Sequence, residues 1–277
     1  MITLSNINFG YHKREPLFKG LNLQLEGGHI YGLLGKNGAG KTTLLKIVAG
    51  LRFASSGTAT ILRESAALRK QEILEQISFL PEEMFIPHLK ISRFIDVYAP
   101  FYPNFNKDQF YEYLSEFEIK DRNASIQKLS YGQKKKVLIA FALAQNTKIL
   151  IMDEPTNGLD IPSKNIFRKL MAQIADDERI ILVSTHQVRD LHSLIDAIVI
   201  LDNGEIVLHK SNDEIIQKLL FTIEKESNEQ TIYAEDTLRG RFAVKENLTK
   251  EESLMDIELF FNAVIMNKER IKQIFNH

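Results

Sequence analysis

An α/β fold with a mixed, largely parallel sheet is what three features of this sequence predict. Short β-like runs recur at 2–9, 30–34, 77–80, 149–152, 180–184 and 197–201. Several of them are unbroken apolar blocks, as in strands covered on both faces, and helical patterns lie between them. From 88 to 146 the strand signal stops, and the runs 91–98, 108–117 and 132–144 read as helices, with Pro100 and Pro103 punctuating the first connection. That stretch predicts a helical subdomain inserted into the sheet domain.

The elements follow in order. After the strand-like run 30–34 comes Gly35-Lys36-Asn37-Gly38-Ala39-Gly40-Lys41-Thr42, which fits the pattern G-x-x-x-x-G-K-[ST] and leads into the helix-like run 43–48. Closely spaced glycines let the backbone wrap a phosphate with its N–H groups inward, and the positive end of the following helix favours the anion. Lys41 then reaches the β- and γ-phosphates of a nucleoside triphosphate, and the Thr42 hydroxyl holds Mg²⁺. A P-loop NTPase core is therefore expected.

The run 149–152 ends in Asp153-Glu154. Ligands of a parallel sheet gather at the C-terminal ends of its strands, so both carboxylates are expected beside the P-loop. Asp153 suits a Mg²⁺ role through water, and Glu154 suits the base that polarises an attacking water. At the next strand end, Ser184-Thr185-His186 puts an imidazole on the same rim, within reach of a γ-phosphate.

Leu129-Ser130-Tyr131-Gly132-Gln133 opens the helix-like run through Ala144, with Ser130 as its N-cap. A capped helix start beside a glycine is a second anion site. Because the P-loop already serves one phosphate, this site is expected to address a phosphate held by a second copy of the chain. Standing alone, the segment reads as an ordinary cap followed by three solvated lysines, Lys134, Lys135 and Lys136.

Asn203-Gly204 between 198–201 and 205–208 is a two-residue hairpin signal, and 213–220 reads as a helix. Beyond it, strand-like pieces at 221–224, 231–234 and 241–245 precede a single helix over 256–274. Its apolar residues Leu259, Phe260, Val264 and Ile265 are expected to pack on those strands rather than dock a partner. The expected division is a nucleotide-binding domain over 1–218, with the helical subdomain at about 88–146, and a small α+β accessory domain over 219–277.

Composition bounds the function. At 277 residues with 44% hydrophobic and 26% charged, the chain can bury a real core, and a net charge of -1 gives no broad field for nucleic acid. There is no cysteine, so disulfides, thiolate nucleophiles and Cys-ligated zinc are excluded, and the seven histidines lack metal-ligand spacing. The first residues lack a signal-peptide pattern, and no apolar stretch approaches the ~18 residues that cross a bilayer. A cytoplasmic protein is expected, with any membrane span supplied by another polypeptide.

Gly35 to Thr43, Leu129 to Gln133, Asp153-Glu154, Thr156-Asn157-Gly158-Leu159-Asp160 and His186, in that order and spacing, resemble the nucleotide-binding subunit of an ATP-binding-cassette (ABC) transporter over roughly residues 1–218. The resemblance implies that ATP and Mg²⁺ bind here. Tyr11 would stack on adenine, with Gly35, Asn37, Gly38, Ala39, Gly40, Lys41, Thr42 and Thr43 around the phosphates and metal. Asp153 would support the metal, with Glu154 catalytic and His186 on the γ-phosphate. Ser130 and Gly132 would reach the ATP of the opposite subunit in a head-to-tail dimer, with Asp160 at its seam. Separate integral-membrane permease subunits would dock near the helical subdomain and the Glu82 loop, where Met84, Phe85 and Ile86 offer apolar surface, holding the protein on the inner face of the cell membrane. The Leu-Pro-Glu-Glu loop and the accessory tail look like exporter-type cassettes.

Three departures from the family pattern stand out. Tyr131 occupies a position where glycine is usual; Glu82 replaces a glutamine that approaches Mg²⁺, and a carboxylate cannot donate a hydrogen bond; Asn157-Gly158 replaces Ser-Ala. Two other readings of the same engine are a soluble ABC-type ATPase serving an assembly process and a nucleotide switch that hardly hydrolyses. Intact Glu154 and His186 argue against the latter.

Overall fold

A computed structural model of the chain describes residues 1–12, 15–186, 191–238 and 240–276. Strands β1 (Ile2–Phe9), β2 (Phe18–Leu25) and β3 (His29–Leu34) precede helix α1 (Lys41–Val48). Strands β4 (Ser56–Ile61) and β5 (Glu64–Ser65), the short helix α2 (Gln71–Leu74) and β6 (Ile77–Leu80) follow. Helices α3 (Ile91–Tyr98), α4 (Lys107–Glu116) and α5 (Tyr131–Ala144) then follow, joined by loops, before β7 (Ile149–Asp153). Helix α6 (Ile161–Ile174) leads to β8 (Ile180–Ser184), and β9 (Ala197–Asp202) turns at Asn203-Gly204 into β10 (Glu205–Ser211). The chain ends with α7 (Asn212–Lys218), β11 (Leu219–Glu224), β12 (Thr231–Thr237), β13 (Gly240–Glu246), α8 (Ile257–Met266) and α9 (Lys268–Asn276).

The central sheet has the order β10-β9-β3-β8-β7-β6 and is parallel except at its β10 edge. Side chains alternate across it, and this sorts the interior into two cores. Ile149, Ile151, Ile180 and Leu182 face α1 and the N-terminal strands, whereas Leu150, Met152, Ile181 and Val183 face α6 and the helical interval. Each such side chain, removed from water, contributes about 1.5–3 kcal/mol.

One strand of the sequence reading falls elsewhere. The run 2–9 forms β1, but in a separate antiparallel sheet of order β2-β1-β4-β5 rather than in the parallel one. Its partners carry a weak signal. In β2 only alternate residues such as Leu21, Leu23 and Leu25 are buried, and β4 reads Ser-Gly-Thr-Ala-Thr-Ile.

The helical interval is as expected. Phe94, Tyr98, Phe105, Phe110 and Phe141 form a connected aromatic cluster at its centre, with Phe94 and Phe141 centroids 4.8 Å apart.

Two helix boundaries near the C-terminus differ from expectation. The helix read at 213–220 stops at Lys218 because Leu219 and Leu220 pair with Glu246 and Lys245 in β13. The helix read over 256–274 is two helices, α8 and α9, broken at Asn267, whose backbone departs from helical geometry (φ −133°, ψ 45°). Leu259, Phe260 and Val264 are buried, and α8 lies against β12 and β13, so the apolar face packs on its own strands. The core containing these residues runs unbroken into that of the central sheet and helical interval. Among the described residues no helix is long and apolar enough to cross a membrane.

Candidate functional site

The site assembles at the C-terminal ends of β3, β7 and β8. Its first component is a helix start left open. Helix α1 begins after Gly40, which sits at φ 104°, a left-handed conformation that L side chains rarely adopt; a Cβ there would also lie 2.9 Å from the Phe18 ring. No side chain caps the helix and no acidic residue lies in its first turn. Its first N–H groups therefore keep their capacity for an anion. A Cβ on Gly38 would meet nothing within 4 Å, so the loop is an open cradle at that point. The Lys41 amine donates to the carbonyl oxygens of Gly35 at 2.7 Å and Lys36 at 3.4 Å, which holds the lysine across the loop it belongs to.

Strand parity supplies the second component. Asp153 continues the face of Ile149 and Ile151, which is the face of α1, and the Thr42 hydroxyl donates to its Oδ2 at 2.6 Å. Ser184, at the equivalent end of β8, donates to Oδ1 of the same carboxylate. Asp153 is thus buried with both oxygens held, one of them beside Thr42.

Glu154 follows at φ 48°, a left-handed backbone that is unusual for a residue other than glycine. Its N–H donates to the carbonyl of Ser184 at 3.1 Å, which fixes the turn. The carboxylate is 5% exposed; Oε1 pairs with His186 Nδ1 at 2.8 Å, and Oε2 is buried without a hydrogen-bond partner. Burial raises the Glu154 carboxyl above the usual carboxylate range; the hydrogen bond and charge of His186 and the charge of Lys41 oppose this, while Glu82 adds to it. A base with raised affinity for a proton and one free lone-pair face into a cleft can take a proton from water.

A cavity of about 600 Å³ joins these groups, lined by Tyr11, Leu17, Asn37, Gly38, Gly40, Lys41, Thr42, Thr43, Glu82, Asp153, Glu154 and His186. The Tyr11 ring is 55% exposed, and its hydroxyl is 2.8 Å from Thr43 Oγ1. The guanidinium of Arg52 lies 5.3 Å from the ring centroid. Glu82 accepts from the Asn157 amide at 3.2 Å, so two of the family departures touch each other. Gly35 and Ala39 belong to the same loop, the latter donating its N–H to the Lys36 carbonyl at 3.1 Å. The donor set fits a nucleotide with Mg²⁺. Thr42 and Asp153 give few but well-held oxygens, as expected for a cation that keeps waters and takes the rest of its shell from phosphates.

Ser130, Gly132 and Asp160 do not line this cavity. Ser130 caps α5 in a reciprocal box with Gln133, its hydroxyl accepting from the Gln133 N–H at 3.3 Å and its N–H donating to the Gln133 side chain at 3.0 Å. Tyr131 is 53% exposed beside it. Asp160 is exposed and caps α6 by accepting from the Ser163 N–H at 2.9 Å. Those bonds hold its carboxyl below the usual range, with Lys136 adding to the effect from 3.9 Å.

Two residues were missed from sequence. In the sequence Ser184 stands out only as part of the His186 segment. Lys135 reads as one of three solvated lysines but is fully buried. The signal existed, since it lies four residues before the fully buried Ile139 on the inward face of α5.

Residues 18–157, just over half of the chain, match the family described as ABC transporter. The chain is similar to the ABC transporter ATP-binding protein NatA of Bacillus subtilis (strain 168), 29% identical over 250 residues, covering 87% of this chain and 99% of NatA. Among solved structures it is similar to an ATP binding subunit of an ABC transporter, with a TM-score of 0.71 at 24% identity over 78% of this chain and 92% of that one. A dimeric ATP-binding cassette, MJ0796, in a post-hydrolysis state bound to ADP and Pi, matches with a TM-score of 0.66 at 24% identity over 76% of this chain and 98% of that one. At that identity the likeness establishes the fold.

Proposed function

Since this chain belongs to the ABC transporter family and is an ATPase, we propose that two copies close head to tail around two ATP molecules and that hydrolysis reopens them to drive a separate membrane permease. The reading rests above all on one observation: the cavity of a single chain gathers Lys41, Thr42, Asp153, Glu154 and His186 but leaves Ser130 and Gly132 on another surface. Each ATP is then enclosed by the 35–43 loop of one copy and the Ser130 helix start of the other, with Asp160 at the seam.

Within one pocket, Tyr11 meets the adenine, Lys41 and the loop N–H groups hold the phosphates, and Thr43 supports their end of the cavity. Mg²⁺, when bound, would be held by Thr42, Asp153 and Glu82 and supplies charge neutralisation at the phosphates. Glu154 holds and deprotonates the attacking water, and His186 keeps the carboxylate oriented while facing the γ-phosphate. Contacts that exist only with the γ-phosphate favour the closed state, so cleavage removes them and the dimer opens.

Residues 219–277 form the accessory domain in this reading. The permease docks by the 82–86 loop, where Phe85 is 81% exposed and Ile86 packs against the helical core. The chain then lies on the cytoplasmic face of the membrane, and export is the direction proposed.

Mixing two inactive variants tests the arrangement. Lys41→Ala damages one half of each pocket and Ser130→Arg the other, so a mixed dimer retains one pocket with both halves intact and regains ATP turnover. No recovery at any mixing ratio would sink the head-to-tail reading. Copurification of an integral membrane protein tests the permease, and vesicle flux of its substrate tests the direction.

A further inference from the structure

Lys135 lies in the middle of the first half of α5, the helix whose tip carries Ser130. Its side chain is sealed from solvent at 0% exposure, and its ammonium donates to the backbone carbonyl of Glu154 at 3.0 Å. A buried ammonium is costly unless opposite charge and hydrogen bonds surround it. Here the charges come from the site itself, since Glu82, Asp153 and Glu154 all lie close enough to favour the charged amine against the larger effect of burial, which lowers its pKa.

The same helix touches the following loop twice more. Tyr131, four residues earlier on the same face, covers Gly158; a Cβ there would lie 2.5 Å from the tyrosine ring, and Gly158 sits at φ 80°. Lys136 approaches the Asp160 carboxylate at 3.9 Å. One helix thus contacts the 154–160 segment at its beginning, middle and end.

We propose that Lys135 is a positioning residue for Glu154, fixing its strained carbonyl from beneath and balancing the additional negative charge that Glu82 brings to the cleft. Glu82 lines the same cavity as Glu154, whose carbonyl the Lys135 ammonium holds, so the ammonium offsets the charge that Glu82 adds beside that residue. The inference rests on the ATPase assignment of Glu154 above, but its charge pairing does not need nucleotide to be seen.

The test is a double-mutant cycle on the full chain with Lys135→Met, which keeps the aliphatic stem, and Glu82→Gln. Without nucleotide, Lys135→Met lowers the unfolding midpoint by at least about 5 °C. Adding Glu82→Gln to that variant recovers part of the loss, whereas Glu82→Gln alone recovers nothing, so the cycle is non-additive. With ATP, Lys135→Met lowers kcat by about 10²-fold while ATP affinity changes less than about 3-fold, the signature of a misplaced catalytic group rather than a lost binding contact. Should the methionine variant fail to fold, Lys135→Gln, which keeps a donor for the carbonyl and removes the charge, carries the same non-additive stability cycle with a smaller kcat loss, and an additive cycle there overturns the charge pairing. A neutral or stabilising Lys135→Met with an additive cycle overturns the proposal, because a lysine that merely fills space is replaced by an apolar residue without loss. If the unsubstituted chain hydrolyses no ATP, the ATPase assignment fails instead, and the nucleotide-free cycle still decides the pairing.

Discussion

Helices α1 and α5 each begin beside a glycine and each carry lysines in their first turns, yet their N-termini are left in opposite states. The start of α1 has no side-chain cap and opens into a cavity with Lys41 and Thr42. The start of α5 closes on itself through Ser130 and Gln133, is exposed to solvent, and belongs to no part of that cavity. An uncapped helix end retains unmet N–H capacity and so binds an anion within the chain; a capped, exposed end is already satisfied and gains from an anion only if one is brought to it. The two helix starts therefore differ in which N–H groups are already paired, and under the proposed head-to-tail arrangement the second meets its anion only from another copy.

Four substitutions break or sharpen that contrast. Glu154→Gln acts on the complete site and should slow phosphate release by about 10³-fold, while size-exclusion chromatography with ATP shows a dimer that the unsubstituted chain holds only briefly. Rapid turnover by this variant would remove Glu154 from the role given to it. Lys41→Ala should weaken ATP binding by about 10- to 10²-fold in a fluorescence titration, since it removes charged hydrogen bonds from the open helix start. An unchanged affinity would contradict the α1 half of the contrast.

Ser130→Ala acts on the other half. In the Glu154→Gln background it should raise the dimer dissociation constant about 10-fold, and it should leave the ATP affinity of the isolated monomer unchanged; the lost cap itself costs about 1 kcal/mol of stability by thermal unfolding. A matching loss of monomer affinity would place Ser130 in the site of its own chain. Smallest is Tyr11→Ala, expected to weaken ATP binding about 3- to 10-fold, as the loss of one aromatic contact does. If Tyr11→Phe weakens it equally, the hydroxyl contact to Thr43 matters more than the ring.

Much of the catalytic cleft was legible because its residues come in short, contiguous patterns. The loop 35–42 and the pair Asp153-Glu154 lie at strand ends that unbroken apolar blocks announce, and parallel pairing brings those ends together. His186 could be placed on the rim for the same reason, and it meets Glu154 there. Less was legible where pairing depends on distant residues. The strand 2–9 was visible, but its membership in the antiparallel sheet depends on β2, which alternates rather than forming an apolar block, and on β4, which is largely polar. The break at Asn267 and the early end of α7 reflect packing and strand pairing that override local helix preference.

Lys135 marks the limit most clearly. In a run of three lysines nothing local separates the buried one from its neighbours except its step along the helix, and charge alone argues for solvent. In its interior position the ammonium meets the backbone carbonyl of Glu154, a contact from a distant segment that no local pattern announces.

By itself the sequence determined the glycine-rich strand-loop-helix, the carboxylates at the strand ends and the alternation of helices and strands, because each is a local pattern with a local physical cause. Tertiary structure alone decided the parity that turns Asp153 toward Thr42, the pairing of Glu82 with Asn157, and the burial of Lys135 beneath Glu154. Those depend on which distant segments become neighbours, and only the packed chain fixes the electrostatic surroundings in which a charge is either exposed or sealed.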